Sequence, residues 1–340
     1  MTADQPDADP PDDAAAPCAD SAYAAFDAGD LAAARAGFES LIAQAPDQAS
    51  LHYMHGLASK YLRDWAPSLR HNLRALALYD GDDDDAEAAR WNAGIAATAL
   101  GDWAEARRQW AACGIELPSG HGAIDANFGV ASVRLAPWRE GETVFARRID
   151  PVRARIIAVP LPDSGFRYGD IVLHDGAATG ERRFHQSRVP VFNAMQRLET
   201  SPFATFALFV RCPRREDVEA LVEARVPGIG FIEDWTDSVV HLCLRCSYGA
   251  PHGGDAHAHD DAPRDWRPER NLGVAAQSRH SVLRLVERWK AGGPGRRLDA
   301  IERRDTAPSD PPPSGLAWWR SPDGDVDGDG EADSDARTDP

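Results

Sequence analysis

The sequence predicts a multidomain α+β protein, a repeat array followed by a strand-rich domain. Three observations carry this. Gly29-Asp30-Leu31, Arg63-Asp64-Trp65 and Gly101-Asp102-Trp103 recur at spacings of 34 and 38 residues, a period belonging to stacked supersecondary units. Near residue 132 the pattern changes to short β-branched runs separated by Gly and Pro. Cys243-Leu-Arg-Cys246 is then followed by His252, His257 and His259, a spacing that suits a tetrahedral metal site.

Composition bounds the function. The 340 residues are 43% hydrophobic, enough for at least one buried core, and no apolar run is long enough for a stable membrane span. The first 20 residues hold six acids and no base, which is unlike a secretory or transit peptide. Five cysteines do not make a disulfide scaffold and fit a reducing compartment, so the expected location is cytoplasmic. The net charge of −17 argues against nucleic acid as a partner, since counterion release needs clustered bases. That charge is uneven: residues 134–230 hold 15 bases against 12 acids.

The organisation follows from composition and period. Residues 1–17 read as a disordered acidic N-terminus and 18–131 as the repeat domain. Residues 132–246 read as the α+β domain and 247–276 as a His/Asp/Gly-rich loop. An amphipathic helix region is expected over 277–305 and a disordered acidic tail over 306–340. Within the repeats, Ala22, Gly29, Ala34, Phe38 and Pro46 recur in register as Gly94, Gly101, Ala106, Trp110 and Pro118. The middle unit keeps Gly56 and Ser68 but carries Asn72 in place of the aromatic and Asp80 in place of the proline.

At these positions the chain resembles the tetratricopeptide repeat family, whose unit is two antiparallel helices. The resemblance covers about 105 residues, and three units are about the minimum for a stable stack. It implies an N-terminal all-α stack of helical hairpins; the strand pattern and the Cys/His spacing beyond it add an α+β domain with a mostly antiparallel sheet and a zinc-knuckle-like loop. It also implies a groove lined by the first helix of each unit, here Tyr23 and Phe26, Tyr53, Leu57 and Lys60, then Trp91, Ile95 and Thr98. Such an aromatic stripe suits an apolar or amphipathic peptide or protein. The family's carboxylate clamp is essentially absent, its positions holding Ala19, Tyr23, Met54, Ala88 and Asn92. The same aromatics would serve equally to pack on the chain's own second domain.

In the second part, strands are expected around 133–135, 143–147, 155–159, 169–174, 206–212, 230–234 and 239–244, with helices at 213–225 and near 277–290. A run from Trp138 through Arg147-Arg148-Ile149-Asp150-Pro151-Val152-Arg153 to Tyr168-Gly169-Asp170-Ile171-Val172, with Glu233-Asp234-Trp235 beyond it, is similar to the C-terminal domain of a group of bacterial repeat proteins. Cys243, Cys246, His252, His257 and His259 together make a structural zinc site the expectation, since soft sulfur with imidazole favours zinc. Arg182, Arg183, His185 and Arg188 form a basic patch between strands. Neither a phosphate loop nor a Gly-x-Ser-x-Gly is present, and Asp170 and His174 share a strand face with no nucleophile. The expected function is therefore a non-catalytic adaptor that binds a peptide or protein through the repeat groove. The alternatives are a zinc enzyme built on Cys243, Cys246 and His252, and an immunity-like protein whose acidic face blocks a basic partner.

Overall fold

The structure is a computed structural model that describes residues 18–79, 84–139, 141–241, 266–312 and 314–320. It divides into two compact units. One ends at Ala93 and includes Ser314 and Gly315; the other runs from Gly94 to Pro312 and continues from Leu316.

The first unit is helical: α1 Ala19–Asp27, α2 Leu31–Gln44, α3 Ala49–Tyr61, α4 Trp65–Leu78 and the start of α5 Asp84–Leu100. The period seen in the sequence marks turns. Gly29 and Arg63 both take positive φ, at 78° and 59°, and Asp30 and Asp64 follow them as N-caps. Asp30 accepts from the Ala33 amide at 3.1 Å, whereas Asp64 turns to Arg35 at 2.9 Å and so ties the second turn back to α2. Small residues permit close helix approach: a Cβ on Gly37 would lie 2.9 Å from that of Ala22, and one on Gly56 would lie 2.5 Å from Asn72. Asn72 thus fills the aromatic position with an amide that donates to Ser68 O at 2.8 Å, while Ser68 Oγ donates to Gly56 O at 2.9 Å.

The second unit begins inside α5. There α5 and α6 Trp103–Ala112 repeat the same devices: Gly101 has φ 73°, Asp102 caps Glu105 N at 3.1 Å, and a Cβ on Gly94 would meet the fully buried Trp110 ring at 2.6 Å. The division between the compact units thus falls inside α5, between Ala93 and Gly94. The reason is visible at Arg153. Its buried guanidinium pairs with Asp150 at 2.5 Å, donates to Ile124 O and lies 4.5 Å from the centre of the Trp103 ring, which joins α6 to the strands. Arg107 adds bonds to Pro118 O at 2.7 Å and Gly122 O at 3.2 Å.

Five strands then close into a barrel: β1 Val130–Arg134, β2 Thr143–Arg148, β3 Arg153–Ile156, β4 Ile171–Phe184 and β5 Ser187–Glu199. Neighbours are antiparallel except β1 and β5, which close the barrel in parallel. Alternation sends Val133, Leu135, Val144, Ala146, Ala154, Ile156, Val172 and Ala194 into its core, with Phe166 beside them. A second, four-stranded sheet follows in the order β7-β8-β6-β9, comprising β6 Ala204–Arg211, β7 Ile229–Asp234, β8 Glu269–Ala276 and β9 Arg297–Arg303. Its neighbours are all antiparallel. Helices α7 Arg215–Val222 and α9 Arg279–Ala291 pack with it, burying Leu221, Val282, Leu285, Val286 and Trp289. The short helix α8, Trp235–Ser238, follows β7.

The predicted fold class needs correction. Helices precede a strand-rich region as expected, but the strands form two sheets rather than one, and one of them is closed. Strand β8 lies inside the expected loop 247–276, β9 inside the expected helix region 277–305, and residues 239–241 form no strand. The zinc knuckle assigned to this fold is not part of the described architecture: Cys243, Cys246, His252, His257 and His259 lie outside the described residues. Among the described residues, no group of three or more His, Cys, Asp or Glu side chains is placed to hold a metal ion.

The C-terminal segment also departs from expectation. Among its described residues, Trp318 and Trp319 are buried and Trp318 meets Trp138 edge-on at 5.3 Å. Trp138 Nε1 donates to Ser309 Oγ at 2.9 Å and Arg167 pairs with Asp305 at 3.1 Å. Two indoles supply the apolar area that the surrounding Pro, Ser and Asp lack.

Candidate functional site

The stripe expected on the first helices divides into two classes. Tyr23 on α1 is 37% exposed and rests edge-on against Phe38 at 5.2 Å. Tyr53 and Leu57 on α3, and Trp91 on α5, are half-buried. These four keep surface that a partner can reach. The others are committed to packing. Phe26 is buried and tilts against Tyr61 at 6.3 Å, which joins α1 to α3. Lys60 is buried; its Nζ donates to Asn92 Oδ1 at 3.0 Å and sits 4.3 Å from the centre of the Tyr61 ring, which joins α3 to α5. Ile95, in the second unit, is fully enclosed, and Thr98 accepts from Trp110 Nε1 at 3.3 Å. Phe26, Lys60 and Ile95 are therefore packing residues and offer a ligand little or nothing.

Behind the stripe lies a histidine cluster that the sequence reading passed over. His52 and His55 are three apart on α3 and meet His71 of α4. His52 Nε2 lies 3.0 Å from Pro46 O, and a carbonyl can only accept, so this nitrogen carries the proton. His52 Nδ1 and His71 Nδ1 lie 3.0 Å apart, so the two rings share one hydrogen bond. The His55 and His71 rings stack with centroids 3.8 Å apart. Burial pushes His55 down to about 4 despite Glu39, and pushes His71 down to about 3, with His55 and Arg70 adding to the second shift. Stacked rings and a directly hydrogen-bonded nitrogen pair leave no converging lone pairs for a metal. The signal in the sequence was His-x-x-His on a core-facing helical stripe.

Titratable groups in the second unit are likewise committed. His174 is fully buried; its Nδ1 accepts from Gly176 N at 3.1 Å, its ring stacks on Phe192 at 4.4 Å, and burial lowers its pKa to about 3. Asp170 is fully buried and accepts from Ser201 N at 2.7 Å, Arg167 N at 2.9 Å and Arg197 at 3.4 Å, so it fixes loops. Glu142 and Glu233 hold the extended segment after β3, accepting from Leu161 N at 2.9 Å and Val159 N at 2.8 Å. Burial raises both, Glu142 to about 8 with Glu233 contributing, so Glu142 is largely protonated at neutral pH. Trp235 Nε1 binds the same segment through Val159 O at 2.8 Å. These groups brace loops and segments.

Comparison with known proteins finds no family model, no curated protein and no solved structure that matches the chain. Among the described residues, no helix is long and apolar enough to cross a membrane.

Proposed function

We propose that the helical unit is a tetratricopeptide-like binding module and that the chain acts as a non-catalytic adaptor for an apolar or amphipathic peptide or protein segment. One observation carries this reading. Tyr23, Tyr53, Leu57 and Trp91 keep exposed surface on α1, α3 and the start of α5, while Phe26 and Lys60, from the same predicted stripe, are buried in packing. Amphipathic aromatics of this kind give much contact area for little side-chain entropy, which is why they dominate binding surfaces. Asn92 accepts from Lys60, so neither residue is spare for gripping a terminal carboxylate, which favours an internal segment as ligand.

The test is affinity co-purification from the native host with wild type beside Tyr53→Ala/Trp91→Ala. A captured protein is then purified and titrated against both forms. The expected result is a binary complex weakened at least tenfold, or about 1.4 kcal/mol, by the double change, with far-UV ellipticity unchanged. Equal affinity for both forms would remove the stripe as the working surface.

A further inference from the structure

We infer that the tip of the β4–β5 hairpin is a phosphate-binding site for a small phosphate monoester or the free dianion. This is independent of the helical unit. Beyond residue 175 the two long strands run on as a ribbon and turn at His185 and Gln186, with His185 in the left-handed region at φ 53°. Phe184 anchors the ribbon by packing on Phe145 of β2 at 4.8 Å.

The register places Arg183 directly opposite Arg188, one pair in from the closing pair Phe184 and Ser187. Side chains so placed approach closely, and like charges facing each other across a ladder are destabilising. Two guanidiniums therefore share one exposed face with a single carboxylate, Glu181, which lies 3.4 Å from Arg188 with both groups more than half exposed. Arg183 Nε donates to His185 O at 3.1 Å, so its fork is held by the turn. Arg182, Gln186 and Ser187 complete a cleft of about 430 Å³. Forked guanidiniums with a hydroxyl and an amide are the donor set that a tetrahedral oxyanion requires, and a dianion would remove the repulsion between Arg183 and Arg188. The cleft is open to solvent on one side, so a phosphate seated there can carry an ester group. The chain is strongly acidic at −17, so the ligand must be drawn by this local cluster and not by a general field.

The test is a nuclear magnetic resonance titration of arginine Nε–H signals with inorganic phosphate and with phenyl phosphate, against chloride at equal ionic strength. The expected result is a saturable shift with both phosphates and none with chloride. It should weaken about tenfold in Arg183→Ser or Arg188→Ser. Glu181→Gln removes the competing carboxylate and should tighten binding, a gain that a misfolded variant cannot produce. Arg284→Ser, on an exposed position of α9, should change nothing. Tighter binding of phenyl phosphate than of inorganic phosphate identifies an ester ligand; equal binding identifies the free ion. A shift that does not saturate, that survives loss of both arginines, or that Arg284→Ser weakens equally would overturn the assignment.

Discussion

Acidification should unfold the helical unit through two named histidines. His55 and His71 are neutral in the fold, with pKa values near 4 and 3 against 6.5 in an unfolded chain. The sign follows from proton counting. Below pH 6.5 the unfolded chain binds protons that the folded one refuses, so stability is fully present above 6.5 and is lost as pH falls toward the folded values. At pH 5 each unfolded imidazole gains about 2 kcal/mol from protonation, roughly 4 kcal/mol for the pair. That is a large share of the ~5–15 kcal/mol that holds a typical domain folded. The packing explains why the protons are refused. A proton added to His71 would sit against Arg70 and the stacked His55 ring, and one added to His55 would sit in the same stack, shielded from water. The assay is urea unfolding followed by helical ellipticity at a series of pH values, for wild type and for His55→Gln/His71→Gln. The midpoint of wild type should fall steeply between about pH 6.5 and pH 5, and that of the variant much less. Parallel falls in the two proteins would refute the assignment of the cluster as the acid-sensitive element.

Three further outcomes follow from the geometry. Gly94→Ala places a methyl 2.6 Å from the buried Trp110 ring and should cost about 1–3 kcal/mol by overpacking, measured as a lowered urea midpoint. Glu142→Gln should act in the alkaline direction. The raised carboxyl of Glu142 means that stability is fully present below pH 4.5 and is lost as pH rises toward 8, so the neutral amide should flatten that limb and stabilise by about 3 kcal/mol near pH 7. Trp318→Ala removes a 98% buried indole and should cost about 3 kcal/mol or more, and limited proteolysis should then cut within residues 306–320 before the barrel strands.

Much of the local structure was legible in the residues. The repeats announced themselves because each turn pairs a residue at positive φ with an aspartate at the N-cap position, at Gly29-Asp30, Arg63-Asp64 and Gly101-Asp102, with Asp30 and Asp102 capping through their side chains and Asp64 pairing with Arg35. The stripe Val282, Leu285, Val286 and Trp289 was read as the apolar side of a helix and is buried on α9. Strand β5 was missed because Pro190 interrupts it and its tip, Ser187 and Arg188, is exposed, so the strand signal fades. Strand β8 was missed because Asp- and His-rich sequence precedes it. The groove was half legible: helical period found the residues, but only packing separated Tyr53 and Trp91 from Phe26, Lys60 and Ile95.

The sequence by itself determined the period, the turns, the capping residues, the helix faces and the uneven distribution of charge, all of which are read along the chain without knowing which elements meet. Tertiary structure alone decided that β1 meets β5 to close a barrel, that Arg153 joins α6 to the strands, that His52, His55 and His71 stack, and that Arg183 faces Arg188. Each of these is a pairing of groups on different elements. Its energy depends on register and burial, which no local pattern of residues encodes.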